Sequence, residues 1–392
     1  MRIALIPMAD RGASDGAQPA RVAGKTVARH QLDFALALGC TKVLCLGNGA
    51  TPDAVALRHA AEAGGANFQA VRGVRELPAA VRGNDGLLVL AHGLLPESPR
   101  AFALLEEGQG VLVLPAEAGW GAGFERLDLT AAWGGAMVIP GRLVERLDEL
   151  PDDAEPIAGL LRIARQGGVP ERPLAESELA EGRWQIVRTG EAAHAIESAW
   201  LGRRLAAVSP FRPTAWLARF ALRRFGARLV GARRAFAFVS ALSCALIAGA
   251  IAASWFAMPW PGFAVLVLAA VATEIADGLV LLRSSIFVSE TKPSRTIFTL
   301  RVIWDMALVV IGALAIDATR AQRLFPPLAT VGLLRIVPPW PENGWRALLA
   351  DRGVIALVLA IAAGIGLVEA TFMVFALLLI LLRLARTAEQ RG

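Results

Sequence analysis

The stretch Val271-Ala-Thr-Glu-Ile-Ala-Asp-Gly-Leu-Val-Leu-Leu-Arg283 places two carboxylates, Glu274 and Asp277, inside a run otherwise apolar enough to cross a bilayer. A charge near the middle of a membrane helix costs roughly 2.5–3.5 kcal/mol on insertion scales, and such residues face the bundle interior. Glu274 and Asp277 stand three apart, on one helix face. Downstream, a second apolar run holds Arg301 and Asp305, four apart and again on one face. Three carboxylates and an arginine gathered inside a membrane bundle need a reason.

Around this stretch the spacing predicts an all-α membrane domain over residues 235–392. Residues 235–257 and 260–287 are each long enough to span, since about 20 apolar residues cross the hydrocarbon core. Met258-Pro-Trp-Pro-Gly262 between them reads as a tight turn. Residues 297–316 make a third span and the shorter residues 326–337 a fourth. The apolar run 354–382 is too long for one ordinary span, and Gly364 and Gly366 followed by Glu369 divide it into two. Six spans put both ends on one side.

Between Ser198 and Thr273 there is no acidic residue, while nine arginines from Arg203 to Arg234 crowd the approach to the first span. The positive-inside rule and attraction to anionic headgroups account for that block, and place both ends in the cytoplasm at the inner membrane. Arg383, Arg386 and Arg391 after the last span agree, whereas Arg320 and Arg323 fall on the opposite side. Nucleic acid is not the expected partner; membrane lipid is. Within the juxtamembrane residues 196–234, Ala215-Trp-Leu-Ala-Arg-Phe-Ala-Leu-Arg-Arg-Phe225 reads as an amphipathic helix lying on the headgroups, or as a basic face packed on the soluble domain.

Residues 1–195 read differently. Short apolar runs at 3–7, 42–46, 86–92, 111–115 and 136–140 alternate with helical patterns at 26–38, 53–63 and 142–147. That alternation predicts an open, mostly parallel sheet covered by helices on both faces. Cys40, Cys45 and Cys244 have no ligand-like spacing and indicate neither zinc nor a disulfide framework.

Residues 3–46 resemble the opening of sugar-nucleotide and polyol-phosphate nucleotidyltransferases. The likeness lies in a strand, a polar loop, Arg21-Val-Ala-Gly-Lys-Thr-Val-Ala-Arg-His-Gln-Leu32, and the strand Thr41-Lys-Val-Leu-Cys-Leu46. It implies a phosphate loop whose backbone N–H groups approach a triphosphate, with Arg11, Arg21 and Lys25 as anion contacts. The loop Ala9-Asp-Arg-Gly-Ala-Ser-Asp-Gly16 lacks the family's glycine density, and Pro19-Ala-Arg21 stands where Pro-Lys is expected. Where the family has a metal-binding aspartate, this chain has Ala91-His92-Gly93. His92 is either a metal ligand or an ordinary loop residue. The expected reading is a nucleotidyltransferase fold without retained activity.

From about residue 199 onward the chain resembles the CDP-alcohol phosphotransferases, whose pattern is D-x2-D-G-x2-A-R-x8-G-x3-D-x3-D. Glu274-Ile-Ala-Asp-Gly278 matches D-x2-D-G with Glu for the first Asp, and Arg301-Val-Ile-Trp-Asp305 matches D-x3-D with Arg for the third. Arg283 falls one residue late, Ile297 stands at the glycine, and the interval is about six residues longer than the pattern. Asp351-Arg352 resembles the family's approach to its penultimate helix. The resemblance implies Glu274 and Asp277 as ligands of Mg²⁺ or Mn²⁺, Asp305 as catalytic base, and Gly278, Arg283 and Arg301 at the substrate. It also implies a CDP-linked donor, a lipid or polyol-phosphate acceptor, release of CMP, and a homodimer. A cytosolic nucleotidyltransferase-like domain ahead of such a membrane domain resembles the bifunctional inositol-phosphate cytidylyltransferase arrangement.

Arg301 divides the readings. It either grips a pyrophosphate beside the metal, or ion-pairs with Asp305, Asp277 or Glu274 and leaves a relative that binds nucleotide or lipid, or scaffolds a partner enzyme, without turnover. A transporter would also gather intramembrane charge, but the chain lacks paired broken helices in two repeated halves.

Overall fold

In the computed structural model, residues 1–8, 20–205, 208–232, 234–283, 294–336 and 344–389 are described, so Arg11 lies outside the described residues. The chain divides into two compact units, one formed by residues 1–200 and one by residues 201–283 with the described residues from 294 onward.

The first unit is built on a seven-stranded sheet. Its strands are β1 (Arg2–Pro7), β2 (Lys42–Leu46), β3 (Asn67–Val71), β4 (Gly86–Leu90), β5 (Gly110–Pro115), β6 (Ala131–Pro140) and β7 (Glu171–Pro173). They lie in the order β7-β5-β6-β4-β1-β2-β3, parallel except for β6, which runs antiparallel to both neighbours. Successive side chains of a strand point to opposite faces. Accordingly Ala4, Ile6, Val43, Cys45, Leu88 and Leu90 enter one core with Phe34 and Trp184. Ile3, Leu5, Leu44, Leu87 and Val89 enter the other, with Val111 and Met137. Burial on both faces explains why these strands read as unbroken apolar runs.

The helix α1 (Val27–Ala37) begins where Thr26 caps it, its hydroxyl accepting from Arg29 N–H at 3.3 Å. Residues 142–147 form part of a 3₁₀ helix, Gly141–Glu149, in place of the α-helix that the pattern predicts. Strands β3 and β7 escape the sequence pattern because Asn67–Val71 is half exposed and Glu171–Pro173 is a short edge. The end of the unit folds back on its beginning. Trp200 donates its indole N–H to the buried Glu97 at 2.5 Å and packs edge-on against His30, and the Ala23 N–H donates to Glu197 at 2.7 Å.

Burial pushes the Cys40 thiol up to about 12 and the Cys45 thiol up to about 11, from an ordinary value of 9.0. Stability drawn from keeping these thiols neutral is therefore complete below the ordinary value and is lost as pH rises through the folded-state values. In the folded protein at neutral pH, iodoacetamide will leave Cys40 and Cys45 unmodified, and both will label after denaturation. Peptide mass spectrometry reads this directly, and labelling of either in the folded state would contradict their place in the core.

The second unit is helical: α2 (Pro213–Gly231), α3 (Ala235–Trp255), α4 (Pro259–Arg283), α5 (Arg295–Ala315), α6 (Arg320–Ile336), α7 (Arg352–Gly364) and α8 (Val368–Glu389). Three of these, α3, α4 and α5, are long and apolar enough to span a membrane, with mean hydropathy of 2.2, 2.2 and 2.0. Of the six expected spans, these three are shown among the described residues. Helix α6 carries Pro326 and Pro327 in its interior, and α7 and residues 368–382 are shorter apolar helices. The break at Gly364–Gly366 is present, with Gly366 at φ +76°. Helix α4 is the centre of the unit, packed by α2, α3, α5 and α7. Among its polar contacts, Thr273 meets Ser243 of α3 at 2.8 Å. The core continues through Phe263, Leu266, Leu308, Ile355 and Phe372.

Candidate functional site

Two close approaches bring charged helices together in the second unit. A Cβ on Gly278 would sit 2.2 Å from Leu222 of α2, and one on Gly353 would sit 2.1 Å from the Thr214 hydroxyl. Glycine at these points lets α2 lie directly against α4 and α7. Helices α2 and α7 then start side by side, and Asp351 serves both. Its carboxylate accepts from the backbone N–H of Gly353 at 2.9 Å, of Val354 at 3.2 Å and of Thr214 at 3.1 Å, and from the Thr214 hydroxyl. A carboxylate at a helix N-terminus satisfies N–H groups that lack intrahelical partners, and it is favoured by the dipole. Asp351 does this for two helices at once.

The charges that the sequence singles out fall into two groups. In the first, Arg301 of α5 reaches α4, its Nη2 donating to Glu274 Oε1 at 3.3 Å and to Asp277 Oδ2 at 3.3 Å. In the second, Asp305 turns away from that pair. Nearly fully buried, it accepts from Arg335 of α6 (Nε 3.0 Å, Nη2 2.8 Å) and from Arg352 of α7 (Nε 2.8 Å, Nη2 3.1 Å). Four charge-assisted bonds on one carboxylate make it a clamp joining three helices. Trp304, next to Asp305, donates to the Leu266 carbonyl at 3.0 Å, and the Arg352 guanidinium lies 5.9 Å from its ring centroid.

Arg219 of α2 adds a second cation near the α4 carboxylates. Burial lowers its guanidinium from the ordinary value, and Asp277 and Glu274 act in the opposite sense. Its Nη1 is buried without a hydrogen-bond partner, as is Nε of Arg301. Arg283, expected at a substrate, donates to the Ala232 carbonyl at 2.8 Å, where it closes the C-terminal end of α2. Gly278 is the packing point described above.

These residues do not fit a divalent metal centre. Among the described residues no group of three His, Cys, Asp or Glu side chains could hold an ion. Glu274 and Asp277 face a guanidinium, and Asp305 is held by two others.

In the first unit, Arg21 and Lys25 are near neighbours on a two-stranded hairpin, where Arg21 pairs with Thr26 and Val22 with Lys25. Both are engaged in ion pairs, Arg21 with Asp53 at 3.0 Å and Lys25 with Asp33 at 2.9 Å. His92 is exposed in the turn after β4 and lines a pocket with Trp133, Glu125 and Arg188.

Sequence reasoning missed Arg335, Thr214 and Arg219 as members of the second unit's charge network. Arg335 closes a segment that reads as a weak span, and Arg219 lies in a block of arginines whose common explanation is the membrane surface. An isolated arginine at the end of an apolar run was the available signal for Arg335. No protein-family profile and no curated protein matches the sequence. Among solved structures, the chain is similar to a UDP-glucose pyrophosphorylase complexed with UDP-glucose, at 14% identity and a TM-score of 0.35, over 50% of this chain and 98% of that one.

Proposed function

We propose that this protein is a two-unit membrane relative of the CDP-alcohol phosphotransferases that binds a nucleotide or lipid ligand, or scaffolds a partner enzyme, without metal-dependent transfer of a phospho-alcohol. One observation carries the reading: Arg301 stands between Glu274 and Asp277, where the resemblance calls for a metal ligand. Displacing CMP from a pyrophosphate needs metal to neutralise charge and a free base for the acceptor hydroxyl. Asp305, the expected base, has both oxygens engaged by guanidinium groups. The first unit, nucleotidyltransferase-like by its opening segment, is read in the same way, since Arg21 and Lys25 have carboxylate partners. The arginine bias around the apolar helices supports an inner-membrane location with the first unit in the cytoplasm.

The test is direct. The full chain in nanodiscs, given CDP-alcohol donors, lipid or polyol-phosphate acceptors and Mg²⁺ or Mn²⁺, will release no CMP above a protein-free control. Metal-dependent release that Asp277→Asn abolishes would overturn the reading and restore a transferase.

A further inference from the structure

We infer that the helix Gly190–Arg204, which carries the chain out of the first unit, is a latch on the Arg21–Thr26 hairpin and lets go when His30 takes a proton. The contacts in question are made by residues up to Trp200, all in the first unit, and do not depend on whether the second transfers a phospho-alcohol. Ala193 and Trp200 of the helix are buried, Trp200 donates its indole N–H to the buried Glu97, and Glu197 accepts from the Ala23 N–H at 2.7 Å. Ala23 turns the hairpin at φ +51°, backbone that favours glycine, so contacts around the turn must hold it in place. The Glu197 carboxylate supplies one of them from the helix.

His30 of α1 ties the two parts together. Its Nε2 lies 3.1 Å from the Val22 carbonyl, which can only accept, so Nε2 carries the proton of the neutral ring and Nδ1 is the basic nitrogen. The Trp200 ring packs edge-on against it, with centroids 6.0 Å apart. His30 thus bonds one strand of the hairpin and touches the residue that anchors the helix. The charged groups around it come from three elements: Glu97 after the short strand Leu94–Pro96, Lys25 on the hairpin and Asp33 on α1. Burial holds the imidazole below its ordinary value of 6.5 and outweighs the opposing pull of Glu97; the Val22 bond and Asp33 also oppose it, and Lys25 acts with it. The ring is therefore neutral while the helix is docked and charges more readily once water reaches it. Docking is complete above 6.5 and weakens as pH falls below it, because the released state binds the extra proton. Leu32, Phe34 and Ala35 fix α1 in the core, so the Trp200 helix is the element that lifts. Glu197 then leaves Ala23, and the hairpin bearing Arg21 and Lys25 loses an anchor.

The experiment follows amide hydrogen exchange of the full chain in detergent by mass spectrometry, between about pH 7.5 and about pH 5.5, with rates corrected for intrinsic exchange. Expected is faster exchange in peptides covering the helix Gly190–Arg204 and the hairpin as pH falls below 6.5, while β1 stays protected. One linked proton sets the size, a rise of up to about tenfold per pH unit. His30→Gln keeps an N–H for the Val22 carbonyl but cannot titrate, so it will remove the pH dependence and leave the helix docked. Should that variant not fold, exchange at the imidazole C2 hydrogens of the wild type reads His30 itself. Expected there is slow exchange with a midpoint below 6.5, beside fast exchange at the exposed His59 and His194. No change with pH, the same change in His30→Gln, a loss of protection that spreads to β1, or a His30 midpoint at or above 6.5 would overturn the latch.

Discussion

Asp305→Ala will destabilise the second unit by about 3 kcal/mol, the largest single effect expected in the chain. The side chain is 5% exposed and accepts bonds from Arg335 and Arg352. Removing it leaves two guanidinium groups facing each other with no counter-charge between them. Breaking a buried ion pair from one side typically costs about 3–5 kcal/mol, and the partial exposure of both arginines places the cost at the low end. Asp305→Asn keeps the shape and some of the acceptor capacity, so it will fall between alanine and wild type. Thermal unfolding in detergent measures the order: wild type, then asparagine, then alanine. A catalytic base of no structural consequence would give three superimposable curves.

Arg301→Met will lower stability on the order of 2 kcal/mol, and the loss will be recovered when Glu274→Gln and Asp277→Asn are added. Alone, the substitution strands two carboxylates on α4 that Arg301 holds at 3.3 Å each. Replacing all three charges removes the Arg301 pairing, though the nearby Arg219 loses counter-charge, and uncharged groups of similar shape are often as stable as the ion pair they replace. The triple variant should unfold within about 1 kcal/mol of wild type. A metal centre predicts a different pattern, in which Arg301→Met permits Mn²⁺ to bind and stabilise while the triple variant binds none. Unfolding curves of the single and triple variants, with and without Mn²⁺, separate the two.

Much of the α/β unit is legible in its residues. An unbroken apolar run such as Leu87–Leu90 must be buried on both faces, because no alternation leaves a polar face for water. The same local physics marks Thr26 as the start of α1 and Gly366 as a break before α8. What escaped was set by neighbours. Strand β3 reads as half polar, and β6 joins antiparallel through pairing with β4 and β5, which no local pattern encodes.

The second unit shows the division most sharply. Sequence alone determined that Glu274 and Asp277 share a face and that Arg301 and Asp305 share another, since both follow from the 3.6-residue period. It also determined that these charges turn inward, because the surrounding side chains are too apolar for them to face lipid. Only the tertiary structure decided which charge meets which. Arg301 faces Glu274 and Asp277 across α4 and α5, whereas Asp305, one turn away, meets Arg335 and Arg352 from helices that begin 15 and 47 residues later. Pairing of this kind depends on helix crossing and on close approach at Gly278 and Gly353. Coulombic attraction has no sequence period, so partners distant along the chain become neighbours only once packing has chosen the faces.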